Sequence, residues 1–252
     1  KLTCFVDVFG GSGTVLLNVP QSWRINRVYN DIDSRLYKVM VALIDEEKRN
    51  KLFESLSWAI QSREYFENIK RKPIEDWTEL DTLYMMTVSF NGMMDSSTYR
   101  IMIGSYHNVL HATVNNLSKN YSIIKDWNLE HLDFREIIPK YDSPTTFFYL
   151  DPPYLDGGKS YRYSFKLDDF RELKSILDNV KGYWLMNESG VDFEKIREIF
   201  GEPKFVKEYI NYSVNRESIE KNNGKKTTRL EGFWGNFEMK TDTKGKIGDW
   251  IV

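Results

Sequence analysis

The residues with the clearest capacity for chemistry are Asp151, Pro152, Pro153 and Tyr154, which follow the apolar run 147–150. That run is short, rich in aromatic residues and bounded by polar ones, so it predicts a buried strand that ends where the four residues begin. Ligands of open α/β sheets bind at this end of the strands. Because the two prolines lack amide donors, the segment offers carbonyl oxygens beside a carboxylate and a flat phenol ring.

Such a site suits an aromatic base that carries an exocyclic amino group. The Asp151 carboxylate and the Pro152 carbonyl oxygen would accept the two amino hydrogens, while the Tyr154 ring stacks on the base. Accepting both hydrogens draws the nitrogen lone pair out of conjugation, which makes the amine a nucleophile. The alternative is a strand that simply ends in a proline turn.

A glycine-rich turn near the start of the chain offers a place for a second ligand. The strand-like segment 2–9 ends at Phe9 and continues into Gly-Gly-Ser-Gly, after which a helix is predicted to begin over 14–18. Gly11 and Gly13 allow the backbone to approach a ligand closely at the amino end of that helix.

Asp31 follows a second predicted strand, 27–30, about 20 residues after the glycines. Nucleoside-binding α/β units place an acid for the ribose hydroxyls at this distance, so Asp31 is the predicted ribose ligand. The alternative is that Asp31 or Asp33 only caps the helix predicted over 34–45. The same spacing also fits a nicotinamide dinucleotide enzyme.

The Asp-Pro-Pro-Tyr segment and the Phe-Gly-Gly-Ser-Gly turn together resemble the signature pair of the amino-nitrogen DNA methyltransferases, and their order is similar to that of the Dam-type adenine enzymes. The resemblance implies S-adenosylmethionine as cofactor and double-stranded DNA as partner. It implies that Phe9, Gly11 and Gly13 contact the cofactor, and that Asp133 and Phe134 contact its adenine. The implied reaction is methyl transfer to the exocyclic amine of a flipped adenine, with no metal.

The predicted fold class is α/β: a doubly wound, Rossmann-like methyltransferase sheet with an inserted, mostly helical target-recognition domain. We predict a catalytic domain built from residues 1–46 and 106–252, and the inserted domain from 47–105. Within the insertion, Asn91 and Arg100 stand in phrases that resemble the family's DNA-contacting hairpin. The family usually has an arginine ahead of Phe-Asn-Gly, whereas this chain has Thr-Val-Ser, so the target DNA sequence stays open.

Two polar loops carry cations suited to phosphate. The loop 155–164 combines glycines, cations and tyrosines, which suits closure over a flipped nucleotide. The loop 221–229 lacks apolar residues and forms a local basic patch. In both cases the alternative is an ordinary solvated surface loop. The predicted DNA contacts in these loops are Lys159, Arg162, Lys225, Lys226 and Arg229.

Composition narrows the class of protein. The chain has 252 residues, 41% of them hydrophobic, which suffices for a packed core. No apolar stretch approaches the roughly 18 residues that span a bilayer, and no secretory leader is found, so we expect a cytoplasmic protein without membrane contact. Because the net charge is −2, DNA contact must come from local patches. Cys4 is predicted to fill the core, and His107 and His111 lack a third ligand for a metal.

Two further strands are predicted in the second half of the chain. One covers 121–127, ahead of Asp133, and the other covers 230–239, where Phe233, Trp234 and Phe237 are expected to pack the last hairpin of the sheet. Both predictions rest on short apolar patterns rich in aromatic residues.

Several alternatives for the activity stay open. Dam-type enzymes close the methionine end of the cofactor site with a Lys-Trp-x-Gly-Gly-Lys phrase, and this sequence holds no copy of it. We therefore expect that a partner or a missing amino-terminal segment completes the site, or that the chain is a catalytically silent DNA-binding or assembly subunit. A cytosine amino-methyltransferase shares the chemistry but more often has Ser-Pro-Pro-Tyr, and enzymes acting on RNA or protein amides typically have Asn-Pro-Pro-Tyr. Restriction-linked, phage and orphan roles are not distinguished.

Overall fold

A computed structural model describes most of the chain. The described residues are 1–89, 94, 98–99, 108–153, 155, 165–189, 193–211 and 227–238, with the backbone alone at 189, 209–211 and 227–229.

Seven strands form one sheet in the described residues, in the order β3-β2-β1-β4-β5-β7-β6. All neighbouring strands pair in parallel except β7, which runs antiparallel to both β5 and β6. The order reverses between β1 and β4, which makes their carboxyl ends the switch point where such sheets bind ligands. This confirms the predicted fold class. The strands are β1 (Cys4–Asp7), β2 (Asn26–Asn30), β3 (Asn128–Glu130), β4 (Thr146–Leu150), β5 (Tyr183–Ser189), β6 (Phe205–Asn211) and β7 (Thr227–Gly235).

Helices cover both faces of the sheet. Buried residues of the first six helices share one core cluster with Phe5, Tyr29 and Phe147, whereas the last three pack on the opposite face with Val6 and Phe148. This division follows from the alternation of side chains along each strand. The helices are α1 (Thr14–Asn18), α2 (Ser34–Ile44), α3 (Glu46–Trp58), α4 (Arg63–Arg71), α5 (Glu79–Val88), α6 (Val109–Ile124), α7 (Phe134–Tyr141), α8 (Leu167–Leu177) and α9 (Phe193–Phe200).

The described residues between α2 and α6 are mainly helical, and Ser89 and Tyr99 form an isolated antiparallel bridge. The helices of this stretch begin at side chains that accept the first free backbone amides: Asp45 for α3, Ser62 for α4 and Thr78 for α5. Buried residues of α3, α4 and α5 belong to the same core cluster as those of α2. The division of the chain at residues 47 and 105 stays a prediction.

The strand predicted over 121–127 was wrong. Most of that segment is the last turn of α6, which ends at Ile124, and β3 begins only at Asn128. Ile124 is buried at the end of the helix, and Trp127 N donates to Ile124 O at 3.1 Å in the turn that follows, which leaves Trp127 buried as well. Tyrosine, isoleucine and tryptophan favour strands on propensity alone, but here packing on the helical face decides the structure.

The strand predicted over 230–239 exists with shifted ends, since β7 runs from Thr227 to Gly235. β7 ends before Asn236, whose side chain accepts from Trp184 N at 3.0 Å and donates to Gly182 O at 2.8 Å. These side-chain bonds take the place of the next backbone hydrogen bonds between β5 and β7. Phe233 and Trp234 lie in β7 as predicted, although β7 is inside the sheet rather than at its edge. Phe237 follows β7, and its ring centre lies 5.7 Å from that of Phe147.

Two findings bear on composition-based expectations. Within the described residues, no helix combines the length and apolar character that a bilayer crossing requires. Cys4 packs against the second core cluster, and burial raises the pKa of its thiol to about 11, so the reactive thiolate is disfavoured at neutral pH.

Candidate active site

The glycine loop after β1 is held by the end of β2. Gly10 N donates to Asn30 O at 2.7 Å, and the Tyr29 hydroxyl donates to Gly11 O at 2.7 Å. Gly11 and Gly13 have φ angles of +52° and +74°, which side chains other than glycine rarely adopt. The loop therefore has one defined path across the switch point.

Asp31 fixes the same loop from the other side. Its Oδ2 accepts from Gly11 N and its Oδ1 accepts from Asp33 N, both at 2.8 Å. Burial raises the pKa of Asp31 to about 6, although both amide bonds act in the opposite direction. Capping of α2 falls to Asp33, which accepts from Arg35 N and forms an ion pair with the Arg35 guanidinium at 2.6 Å. Asp31 thus contacts the loop rather than the helix.

We expect Gly10→Ala to lower the free energy of unfolding by about 2 kcal/mol, because the new methyl group would lie 2.4 Å from the Tyr29 ring. That ring is fully buried and cannot move without losing its bond to Gly11 O. The matched control is Gly11→Ala, which meets no atom within 4 Å and costs only its backbone strain, about 1 kcal/mol. Urea unfolding curves measure both, and equal losses would contradict the steric argument.

Asn30 joins three segments at the carboxyl edge of the sheet. Its side-chain amide donates to Val8 O at 2.8 Å and to Leu132 O at 3.0 Å, and its Oδ1 accepts from Leu132 N at 2.9 Å. His131 Nδ1 lies 2.8 Å from Asp31 O, and its ring stacks on Tyr37. Sequence reasoning missed Asn30 and left His131 unassigned. The available signal was a polar residue at the end of a buried strand.

Asp133 and Phe134 line a cavity of about 410 Å³ beside the glycine loop. Phe134 is buried, with Phe9 and Phe165 at ring-centre distances of 6.2 Å and 5.4 Å. Asp133 caps α7 through Arg135 N and pairs with the Arg135 guanidinium. The structure therefore brings Phe9, Asp133 and Phe134 together at one cavity, and their contacts with a cofactor stay a prediction. Pro153 also lines this cavity, so it joins the glycine-loop side of the site to the segment after β4.

Asp7 is a site residue that the sequence analysis missed. It ends β1, is 1% exposed, and neither of its carboxylate oxygens has a hydrogen-bond partner in the described part of the chain. Burial, followed by the negative charges of Asp151 and Asp31, raises the pKa of Asp7 well above the usual range. A buried, unpartnered acceptor of this kind is costly unless a ligand supplies a donor.

The segment after β4 completes the edge. Asp151 reaches solvent at the rim while Pro152 behind it is buried. Desolvation by the surrounding protein, followed by the negative charge of Glu231, raises the pKa of Asp151 to about 6. The carboxylate therefore stays ionised at neutral pH, yet it is a stronger proton acceptor than an ordinary aspartate.

Tyr149 of β4 and Asn187 of β5 lie beside Asp7 and Asp151 at this edge of the sheet. Tyr149 is opposite Asp7 in the register, and Asn187 hydrogen-bonds the Tyr149 hydroxyl. Burial, Asp151 and Asp7 raise the pKa of Tyr149, so its phenol stays protonated. The Asn187 Oδ1 atom is buried without a partner among the described residues. Acceptors on this edge thus outnumber the donors of Tyr149 and Asn187, which suits a ligand that carries positive charge and N–H groups.

Several predicted site residues lie outside the part of the chain that the structure describes. These are Tyr154, Asn91, Arg100, Lys159, Arg162, Lys225 and Lys226, and Arg229 is described by its backbone alone, paired with Tyr209. Their roles stay predictions. Among the described residues, no group of three or more histidine, cysteine, aspartate or glutamate side chains is placed to hold a metal ion.

Comparisons with known proteins show the family of the chain. The family model of the D12 class N6 adenine-specific DNA methyltransferases matches residues 1–219, which include β1 to β6 and end before β7. The chain is also 25% identical, over 202 residues, to the type II methyltransferase M.CviBI of Paramecium bursaria Chlorella virus NC1A, an alignment that covers 78% of this chain and 76% of that protein. This chain belongs to the D12 class of N6 adenine-specific DNA methyltransferases.

Proposed function

We propose that the chain takes its methyl group from S-adenosylmethionine and delivers it to an adenine flipped out of duplex DNA, with Asp151 as the acceptor for the reacting amine. The observation that carries the proposal is the pair of acids at the switch point: Asp7 is buried without a partner among the described residues, and the negative charge of Asp151 is near enough to raise the pKa of Asp7. A methyl donor that carries both a sulfonium and an ammonium group supplies the positive charge and the donors that this edge needs.

Three features at the carboxyl edge of the sheet suit three parts of S-adenosylmethionine. The cavity beside Phe9 and Phe134 suits its adenine, Asp31 its ribose hydroxyls, and Asp7 its ammonium group. When bound, the cofactor supplies an electrophilic methyl carbon that is already activated by its sulfur. The protein therefore has to orient the amine and stabilise the charge that develops on it.

Asp151 and Pro152 perform that task for the amine. The Asp151 carboxylate and the Pro152 carbonyl oxygen accept the amino hydrogens, and the carboxylate stabilises positive charge on nitrogen as the new bond forms. Tyr154 holds the base by stacking, and extrusion of the base from the duplex costs a few kcal/mol that this stack offsets in part. We further propose that residues 47–105 recognise the target sequence, and that the role is restriction-linked, as for a type II methyltransferase.

Product analysis tests the proposed function. Purified protein is incubated with duplex DNA and S-adenosylmethionine carrying an isotopically labelled methyl group, and the nucleosides are separated by mass spectrometry. We expect the label in N6-methyladenine. Label in N4-methylcytosine would contradict the proposed adenine substrate and support a cytosine amino-methyltransferase instead. Absence of label, together with no heat of S-adenosylmethionine binding at about millimolar concentration, would favour a silent subunit or a site completed by a further segment or partner.

We expect the double change Lys225→Ala and Lys226→Ala to weaken binding to all DNA sequences alike and to flatten its salt dependence. Removing one lysine–phosphate ion pair lowers the log-log salt slope by about 0.9. The control is Lys125→Ala with Lys181→Ala, two exposed lysines that precede β3 and β5 and so lie at the opposite edge of the sheet. Fluorescence anisotropy over a range of salt concentrations measures both slopes. A slope equal to the parent's would remove this loop from the DNA interface.

A further inference from the structure

The antiparallel strand β7 brings a distant residue to the catalytic edge. Ser189, at the end of β5, is paired with Glu231 of β7, and Asn187 is paired with Phe233. Since side chains alternate along strands, Glu231 shares the sheet face of Asn187. Asn187 in turn shares the face of Tyr149, because Tyr149 is paired with Leu185 two residues before it. Glu231 therefore lies on the same face of the sheet as Tyr149 and Asn187. In sequence, it follows the residues that the family model matches.

Titratable groups from four other strands lie at the same edge of the sheet as Glu231. Asp7 ends β1, Asp31 follows β2, Tyr149 and Asp151 belong to β4 and the segment after it, and Lys207 of β6 is directly opposite Glu231. Glu231 is half-buried. After desolvation, its negative charge is what raises the pKa of Asp151, and it also raises that of Tyr149. The carboxylates of Glu231 and Asp151 are thus close enough to repel each other.

We propose that Glu231 is a positioning residue for methyl transfer, whose negative charge behind Asp151 keeps the Asp151 carboxylate a strong hydrogen-bond acceptor for the adenine amine. This inference rests on the proposed function. A proton acceptor becomes more effective as its basicity approaches the working pH, and a fixed neighbouring charge is one of the ways in which proteins raise basicity. Glu231 does this without contacting the base, since it acts through Asp151.

The test compares Glu231→Gln with the parent enzyme in single-turnover methylation of duplex DNA by S-adenosylmethionine, from about pH 5 to about pH 8. We expect the rate of the parent to fall on the acid side as Asp151 becomes protonated. In Glu231→Gln the midpoint of that fall moves lower by about half a pH unit or more, because one neighbouring charge is removed. The rate at higher pH falls severalfold, since Asp151 is then a weaker acceptor.

Two matched variants separate charge from structure. Glu231→Asp keeps the charge, so we expect its acid-side midpoint to stay within about 0.2 unit of the parent. Glu208→Gln removes an exposed glutamate from the neighbouring strand on the other face, opposite Leu230, and should leave the profile unchanged. A midpoint in Glu231→Gln equal to the parent's would overturn the inference, as would equal shifts in the Asp and Gln variants. If the parent itself forms no N6-methyladenine, the proposed function fails and this inference fails with it.

Discussion

We expect Asp151→Ala to lower the single-turnover rate of adenine methylation by about 10²- to 10³-fold, while S-adenosylmethionine affinity stays within about threefold of the parent. The rate falls because the carboxylate is an acceptor aimed at an amine that becomes positively charged in the transition state. Isotope transfer to duplex DNA measures the rate, and calorimetry measures the affinity. The control is Asp168→Ala, an exposed aspartate at the start of α8 whose ion pair with Arg171 lies on the surface.

The pH dependence of the parent gives an independent check on Asp151. Its pKa is raised to about 6, so the ionised, accepting form predominates above that value and is lost as the pH falls through it. The methylation rate should therefore decline on the acid side around pH 6 and be steady towards pH 8. Parent-like methylation by Asp151→Ala at neutral pH would show that the carboxylate does not contact the reacting amine.

We expect Asp31→Ala to weaken S-adenosylmethionine binding by about tenfold to a hundredfold, with the rate at saturating cofactor much less affected. The carboxylate both accepts from Gly11 N and is the proposed acceptor for ribose hydroxyls. Its removal would free the glycine loop and delete a cofactor contact. Asp45→Ala is the matched control, since Asp45 also accepts a backbone amide, from Lys48, but at the start of α3.

A cofactor analogue without the ribose 2′-hydroxyl separates the two roles of Asp31. If Asp31 contacts that hydroxyl, the parent binds the analogue more weakly than S-adenosylmethionine, whereas Asp31→Ala hardly discriminates between them. Equal discrimination by parent and variant would mean that Asp31 only anchors the glycine loop. An unchanged affinity of Asp31→Ala for S-adenosylmethionine would exclude both roles.

Much of the site could be predicted because its parts are local in sequence. The glycine turn follows β1 and Asp-Pro-Pro follows β4. Each short motif therefore indicates, from its own sequence, that it lies at the end of a strand. The spacing of Asp31 reflects the length of one βαβ unit. Phe9, Asp133 and Phe134 come from different segments, and only the family resemblance assigned them to the same cofactor. The structure has them on one cavity, while the cofactor contact itself stays a prediction.

Asp7 and Glu231 could not be predicted in the same way. Asp7 lies inside an otherwise apolar segment, and a single acid in such a segment is typical of a solvent-facing position on an edge strand. Asp7 is buried at the candidate site only because β1 is a central strand, between β2 and β4. The location of Glu231 near Asp151 depends on the register between β5 and β7, which no local sequence pattern encodes. The error over 121–127 has a similar origin, since aromatic and β-branched residues favour a strand until helical packing is known.

The place of β7 has a consequence for biosynthesis. It is the last strand along the described chain, yet it lies within the sheet, between β5 and β6. During translation β5 therefore emerges long before its second neighbour, and its unpaired backbone groups and those of β6 are exposed until residues 227–235 arrive. Pairing of such distant segments is slow, and unpaired strands invite association with other chains. Between synthesis of β5 and of β7, the unpaired backbone of β5 and β6 therefore favours association with other chains, a risk that chaperones reduce.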